Sequence, residues 1–213
     1  ESFYNGYIDL VMSGVEEPLS THADHFEDAG AYGAAAYQKG ALFLYQLEYV
    51  IGKPAFDQGL LDFFNTWKFK HPDDNDFIRV MEKSSGLELD WYRDYMVYSL
   101  KTVDYSVDTV FAYQEQSAII LERIRDMPMP IDVVINTKAG TQLYYTIPLD
   151  IMRGAKEERG PDDKPYELLH DWNWVNPSYL FVVPFTPDQI QSVTIDPYMR
   201  MLDLDRENNV WAY

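Results

Sequence analysis

A change of hydrophobic period partway along the chain constrains the fold more than any other feature. From about residue 31 to about 101, apolar side chains recur at spacings of three and four, the repeat of a helix. From about Asp104 they alternate or form short β-rich runs, the repeat of a strand. Two patterns segregated end to end predict two domains, the first helical and the second β. The boundary is placed at Val103-Asp104, giving domains of residues 1–103 and 104–213.

Within the helical part, Tyr37, Ala41, Leu44, Leu47 and Ile51 fall on one stripe, and Phe43, Tyr45 and Tyr49 fill other faces. A helix apolar on so many faces is expected to be buried. Gly52 is the expected stop, and Pro54 suits the first turn of the next helix, whose stripe is Phe56, Leu60, Phe63 and Trp67. A loop at His71–Asp74 follows. Asn75 is expected to cap a third helix, with Phe77, Val80 and Met81 inward and an end near Gly86. Asp90 is expected to cap a fourth, with Trp91, Tyr95 and Met96 as its apolar face.

Beyond the boundary, strands are predicted at Tyr105–Tyr113, Ala118–Arg125, Ile131–Thr137, Gln142–Leu149, Tyr179–Pro184 and Ile190–Asp196. Thr137–Gly140 is the expected hairpin turn, and the charged stretch Arg153–Lys164 a solvated loop. Six or seven short strands over this length predict a β-sandwich. The fold class is therefore α+β as two domains, an all-helical part followed by an antiparallel, Ig-like β-sandwich.

The formal net charge of −18 repels phosphate backbones and anionic membranes, so nucleic acid is excluded as a partner. There are no cysteines, which removes disulfides, thiolate metal sites and thiol nucleophiles. No apolar run reaches the roughly 20 residues that span a bilayer. The chain opens on Glu1-Ser2-Phe3 rather than methionine, so it is expected to be a piece of a longer protein, and compartment is unassigned.

The stretch from Tyr32 to Gly52 carries the most specific pattern: Tyr32, then Tyr37-x-Lys39-Gly40, then an aliphatic and aromatic run through Leu47-Glu48 to Gly52. It continues with Trp67-Lys68-Phe69-Lys70-His71-Pro72, Asp76-Phe77, Met81-Glu82, Ser85-Gly86 and Leu89-Asp90-Trp91. This series resembles the aminopeptidase N family of gluzincin zinc metallopeptidases over roughly residues 30–105. The resemblance implies the helical C-terminal end of a catalytic domain, followed by a β-sandwich. It also implies zinc in the intact parent enzyme, a peptide substrate with a free N-terminus, and an N-terminal catalytic part that packs on the helical domain. Its bacterial members are the most similar, which is compatible with a periplasmic or secreted location.

By the same resemblance, Tyr37 is the catalytic tyrosine that hydrogen-bonds the tetrahedral oxyanion, and Tyr32 lines the substrate pocket. A phenol suits the first role because it is protonated near neutral pH and donates to developing charge. Against it stands the ordinary use of tyrosine, of which there are 17, in half-buried core positions. Lys39 and Gly40 are read as structural, the lysine pairing with a carboxylate outside this chain and the glycine admitting a close backbone.

The family's zinc motif, His-Glu-x-x-His with a downstream glutamate, does not occur in these residues, so no metal site is expected here and the fragment alone is expected to be inactive. His22 and His25 stand three apart rather than four and are read as surface residues. His71 and His170 stand alone. Asp203–Asn209 resembles a calcium loop only superficially, because Asn208 occupies the position where an EF-hand needs glycine. The alternative to an aminopeptidase fragment is a non-enzymatic binding module, with Trp172 and Trp174 presented by the sandwich to a carbohydrate or protein.

Overall fold

A computed structural model describes residues 2–157, 159 and 165–213, residue 2 by its backbone alone. The chain divides into two compact units, one ending at Lys101 and the other beginning at Thr102.

The helical unit contains a first helix that the periodicity does not announce. α1 (Ser2–Ser13) buries Tyr7 and Leu10, two residues three apart on one face. A short 3-10 turn at Ala23–His25 precedes α2 (Ala29–Gly33), which runs through a π-helical turn (Ala34–Lys39) directly into α3 (Gly40–Ile51). Leu42, Gln46, Leu47, Tyr49, Val50 and Ile51 form the buried side of α3. The stripe expected from Tyr37, Ala41 and Leu44 is wrong: all three are exposed, Tyr37 at 76% and Leu44 at 38%. The rest of that stripe, Leu47 and Ile51, is buried; the π turn offsets Tyr37 from α3, and at the start of α3 the inward residue is Leu42 rather than Ala41.

α4 (Lys53–Trp67) and α5 (Asp74–Ser85) pack closely, because a Cβ on Gly59 would lie 2.5 Å from Met81 Sδ. Asp73, not Asn75, caps α5. Its carboxylate accepts from the Asp76 N–H at 3.0 Å while the Asp76 carboxylate accepts from the Asp73 N–H at 3.2 Å. Gly86 ends that helix at φ 72°, a left-handed conformation that glycine enters without penalty. Asp90 is the first residue of α6 (Asp90–Tyr98) rather than its cap; there its charge meets the positive end of the helix dipole. Tyr92, rather than Tyr95, anchors α6: it is fully buried and its hydroxyl donates to the Phe43 carbonyl at 2.6 Å. Phe43, Phe63, Phe77 and Tyr92 form a ring cluster joining α3, α4, α5 and α6. Among the described residues no helix is long and apolar enough to cross a membrane.

The second unit has two sheets. One is ordered β1 (Tyr105–Tyr113), β2 (Gln116–Arg123), β6 (Ser178–Val183). The other is ordered β5 (Glu167–Leu168), β4 (Gln142–Ile147), β3 (Ile131–Thr137), β7 (Ile190–Ile195), β8 (Val210–Ala212). All neighbours run antiparallel except β4 and β5, and the edge strands β5 and β8 carry too few residues for a period to announce them. Tyr145 of β4 meets Phe181 of β6 edge-on at 5.8 Å, so aromatic side chains from the two sheets share one core. Trp172 belongs to that core at 2% exposed, with Tyr105 and Tyr179 rings 5.5 and 5.2 Å away and its indole N–H donating to the Asn176 carbonyl. The binding-module alternative needed Trp172 at the surface, and it is not there.

Part of the stretch expected as a solvated loop is likewise inside. Lys156 is 6% exposed and meets Asp132 at 2.6 Å, with the Thr146 hydroxyl donating to the same carboxylate. Residues 158 and 160–164 of that expectation lie outside the described residues.

Asp203 is fully buried and accepts from the N–H groups of Tyr105 and Asp205, both at 3.0 Å. Burial pushes its carboxyl up to about 7, with Asp104 adding to the rise and the two backbone donors opposing it. Asp196, buried beneath two backbone donors, is raised as well, by burial first. A carboxyl raised in the folded state keeps a proton that the unfolded chain releases. The stability this gives is complete below about pH 4 and is lost as pH rises through about 7, at roughly 1.4 kcal/mol per pH unit within that window. Urea unfolding from pH 4 to 8 is expected to show that decline, and Asp203→Asn to flatten it. A decline of equal slope in Asp203→Asn would remove Asp203 as its source.

Candidate active site

The helical unit presents Tyr37 on a turn whose neighbours are tied down. Asp28 starts the segment, its carboxylate accepting from the Ala31 N–H at 2.8 Å as an N-cap. Ala31 and Ala35 are each 2% exposed and pack inward. At the end of the π turn the Gly40 N–H points to the Ala35 carbonyl five residues back. Residues two apart on a helix do not share a face. Lys39 at 3% exposed and Tyr37 at 76% exposed therefore point to opposite sides.

The inward side is polar at one place. Lys39 Nζ lies 2.6 Å from Glu16 Oε1, and the two side chains are 3% and 7% exposed. The lysine's partner is thus in this chain, in the segment after α1, and not outside it as the sequence suggested. Tyr7 of α1 is buried beside this pair; burial first and the Glu16 charge second push its phenol well above the ordinary value. The backbone of α1 also passes close to the turn: a Cβ on Gly6 would meet the Gln38 amide at 2.6 Å. Gly40, by contrast, has room for a Cβ, its nearest neighbour being the Ala35 carbonyl oxygen at 3.7 Å. The close approach expected there occurs at Gly6 instead.

Tyr32 is 42% exposed, with its ring edge-on to Phe26 at 5.4 Å. Among the described residues no hydrogen bond or ring contact joins Tyr32 to Tyr37. His22 caps the 3-10 turn and His25 ends it, both exposed, with ring centroids 5.4 Å apart and His22 Nδ1 accepting from the Asp24 N–H.

Zinc takes nitrogen, sulfur and carboxylate donors, in catalytic sites chiefly histidine. Among the described residues the grouping of three acidic or histidine side chains close enough to share an ion is Glu82, Glu88 and Asp90. It contains no histidine, Glu82 already accepts from the Leu89 N–H at 2.9 Å, and Asp90 lies 3.3 Å from Arg93. These donors do not fit a catalytic zinc.

Residues 8–96 match the peptidase family M1 domain, a stretch running from within α1 to within α6. The matched stretch makes up most of the helical unit. The chain is 45% identical over 47 residues to a leukotriene A-4 hydrolase homolog of Botryotinia fuckeliana, covering 22% of this chain and 7% of that protein. Over a stretch of the same length it is 43% identical to leucine aminopeptidase 2 of Sclerotinia sclerotiorum, covering 8% of that protein. Its fold is similar to that of Legionella pneumophila aminopeptidase A, solved in complex with aspartic acid, with a TM-score of 0.55 and 14% identity over 92% of this chain and 21% of that one. The chain thus spans about a fifth of that structure's length, and its matches cover under a tenth of the two curated relatives.

Glu16, Tyr7 and Gly6 are the residues that sequence reasoning missed. A lysine within an otherwise apolar helix announces a buried acid, but 35 acidic residues leave the choice open. On the donor chemistry above, the dialysed chain is expected to retain well under one equivalent of zinc by elemental analysis. A full equivalent that disappears in His22→Ala or His25→Ala would contradict this.

Proposed function

We propose that this chain is the C-terminal part of an aminopeptidase, with residues 1–103 completing the catalytic domain and 104–213 adding the sandwich. In this reading Tyr37 is the residue by which the chain takes part in the reaction. The observation that carries it is the contrast on one turn. Ala35 and Lys39 are buried while the phenol between them is 76% exposed, inside the stretch that matches the M1 domain.

The chemistry follows from what a phenol does. As a nucleophile adds to the peptide carbonyl next to a free N-terminus, negative charge builds on the carbonyl oxygen. The Tyr37 hydroxyl donates a hydrogen bond to that oxygen, and the bond strengthens as the charge grows. An interaction made chiefly in the transition state lowers the barrier without tightening the ground state. Tyr32 is assigned a lesser role at the pocket wall. The zinc that the family resemblance implies belongs, in this reading, to a part of the enzyme outside this chain.

Kinetics of the full-length enzyme on an aminoacyl-anilide test the assignment. Tyr37→Phe keeps the ring and removes one donor, so kcat is expected to fall about 10²-fold, roughly 3 kcal/mol of transition-state stabilisation, with KM nearly unchanged. Tyr32→Phe is expected to cost much less. An unaltered kcat in Tyr37→Phe would make the tyrosine structural.

A further inference from the structure

We propose that the buried Glu16–Lys39 ion pair is a positioning device for Tyr37, an inference that rests on the role proposed for that tyrosine. Three observations carry it. First, the pair is tight and dry, 2.6 Å between Nζ and Oε1 with both side chains at 7% exposure or less. Removing two charges from water costs several kcal/mol each, and an apolar pair of similar volume often stabilises a fold as well. A pair in this environment is therefore better understood by what it fixes than by the stability it adds.

Second, the pair ties the end of the π turn to a segment distant in the chain. Lys39 is the last residue of the π turn, and π geometry is uncommon and usually confined to single turns. Glu16 lies 23 residues upstream, past the end of α1, so the pair ties the segment after that helix to the turn. The Gln38 side chain against Gly6 and the buried Tyr7 phenol beside Glu16 brace the same side of the turn.

Third, Tyr37 sits two residues before Lys39 and points the other way. Rotation of the turn about its axis moves the Lys39 ammonium and the Tyr37 ring together. Fixing the ammonium against Glu16 on the inside thereby fixes the direction of the phenol outside. Glu16 and Lys39 touch no reacting atom; they act through Tyr37. A small displacement of a group aimed at a transition state is expensive, up to about 10²-fold for 1 Å.

A double-mutant cycle in the full-length enzyme tests this. Glu16→Gln is expected to lower kcat about tenfold with KM nearly unchanged. In the Tyr37→Phe background the same substitution is expected to cost nothing further, because the hydroxyl being aimed is gone. Glu16→Gln leaves a buried ammonium without its counter-charge. The neutral pair Glu16→Gln/Lys39→Met is therefore measured as well; it leaves no buried charge and is expected to fold with the same tenfold loss and the same dependence on Tyr37. An equal fractional loss in both backgrounds, or full kcat in the neutral pair, overturns the positioning role. A large loss in Tyr37→Phe with none in the pair variants overturns this inference alone. Unaltered kcat in Tyr37→Phe overturns the assignment of Tyr37 and this inference with it.

Discussion

One ammonium group with almost no access to water organises the helical unit around its site. Lys39 lies on the inner face of a turn built from alanines, and a charge at that depth must find an opposite charge or give up its proton. Glu16 supplies the charge, which brings the segment after α1 onto the back of the π turn. Packing then follows: Gly6 yields space to Gln38, and Tyr7 fills the volume beside the carboxylate. The exposure of Tyr37 is the geometric consequence, since the residue two positions from an inward lysine faces out.

The sandwich unit uses buried charge in a related way, toward register rather than chemistry. Asp203 accepts the N–H of Tyr105 where β1 begins, and so ties the C-terminal loop to the first strand across 98 residues. Asp132, the second residue of the largely buried strand β3, takes Lys156 and the Thr146 hydroxyl, so its carboxylate is paired. A chain with a net charge of −18 has abundant acid on its surface, so the informative acids are those inside. In this unit they are structural, as is Trp172.

The fold class was legible because hydrophobic period is a local property: the change from three-and-four spacing to alternation marks helices before strands, and the structure has both in that order. The individual faces were less legible. Helical periodicity assigned Leu44 and Ala41 to the inside because it assumed regular α geometry from Tyr37 onward. The π turn, which no residue type announces, offsets Tyr37 from α3, whose buried side runs through Leu42, Gln46, Leu47, Tyr49, Val50 and Ile51. α1 was missed because its inward residues, Tyr7 and Leu10, lie among Gly6, Asp9 and other polar or flexible neighbours that blur the stripe. Caps slipped by a residue or two where several acids compete, as at Asp73 through Asp76. Of the proposed site, Tyr37 and Tyr32 could be named from pattern, but not the buried ion pair behind the turn. Glu16 is 23 residues from Lys39, and long-range pairing of charges carries no local signature.

A crystal structure of the full-length enzyme with a phosphinic peptide, whose phosphoryl oxygen imitates the oxyanion, tests the central claim most directly. The account predicts Tyr37 Oη at about 2.7–3.1 Å from that oxygen, with the Lys39–Glu16 contact intact behind the turn. A phosphoryl oxygen held by other donors, with the Tyr37 ring turned away from it, would contradict the account.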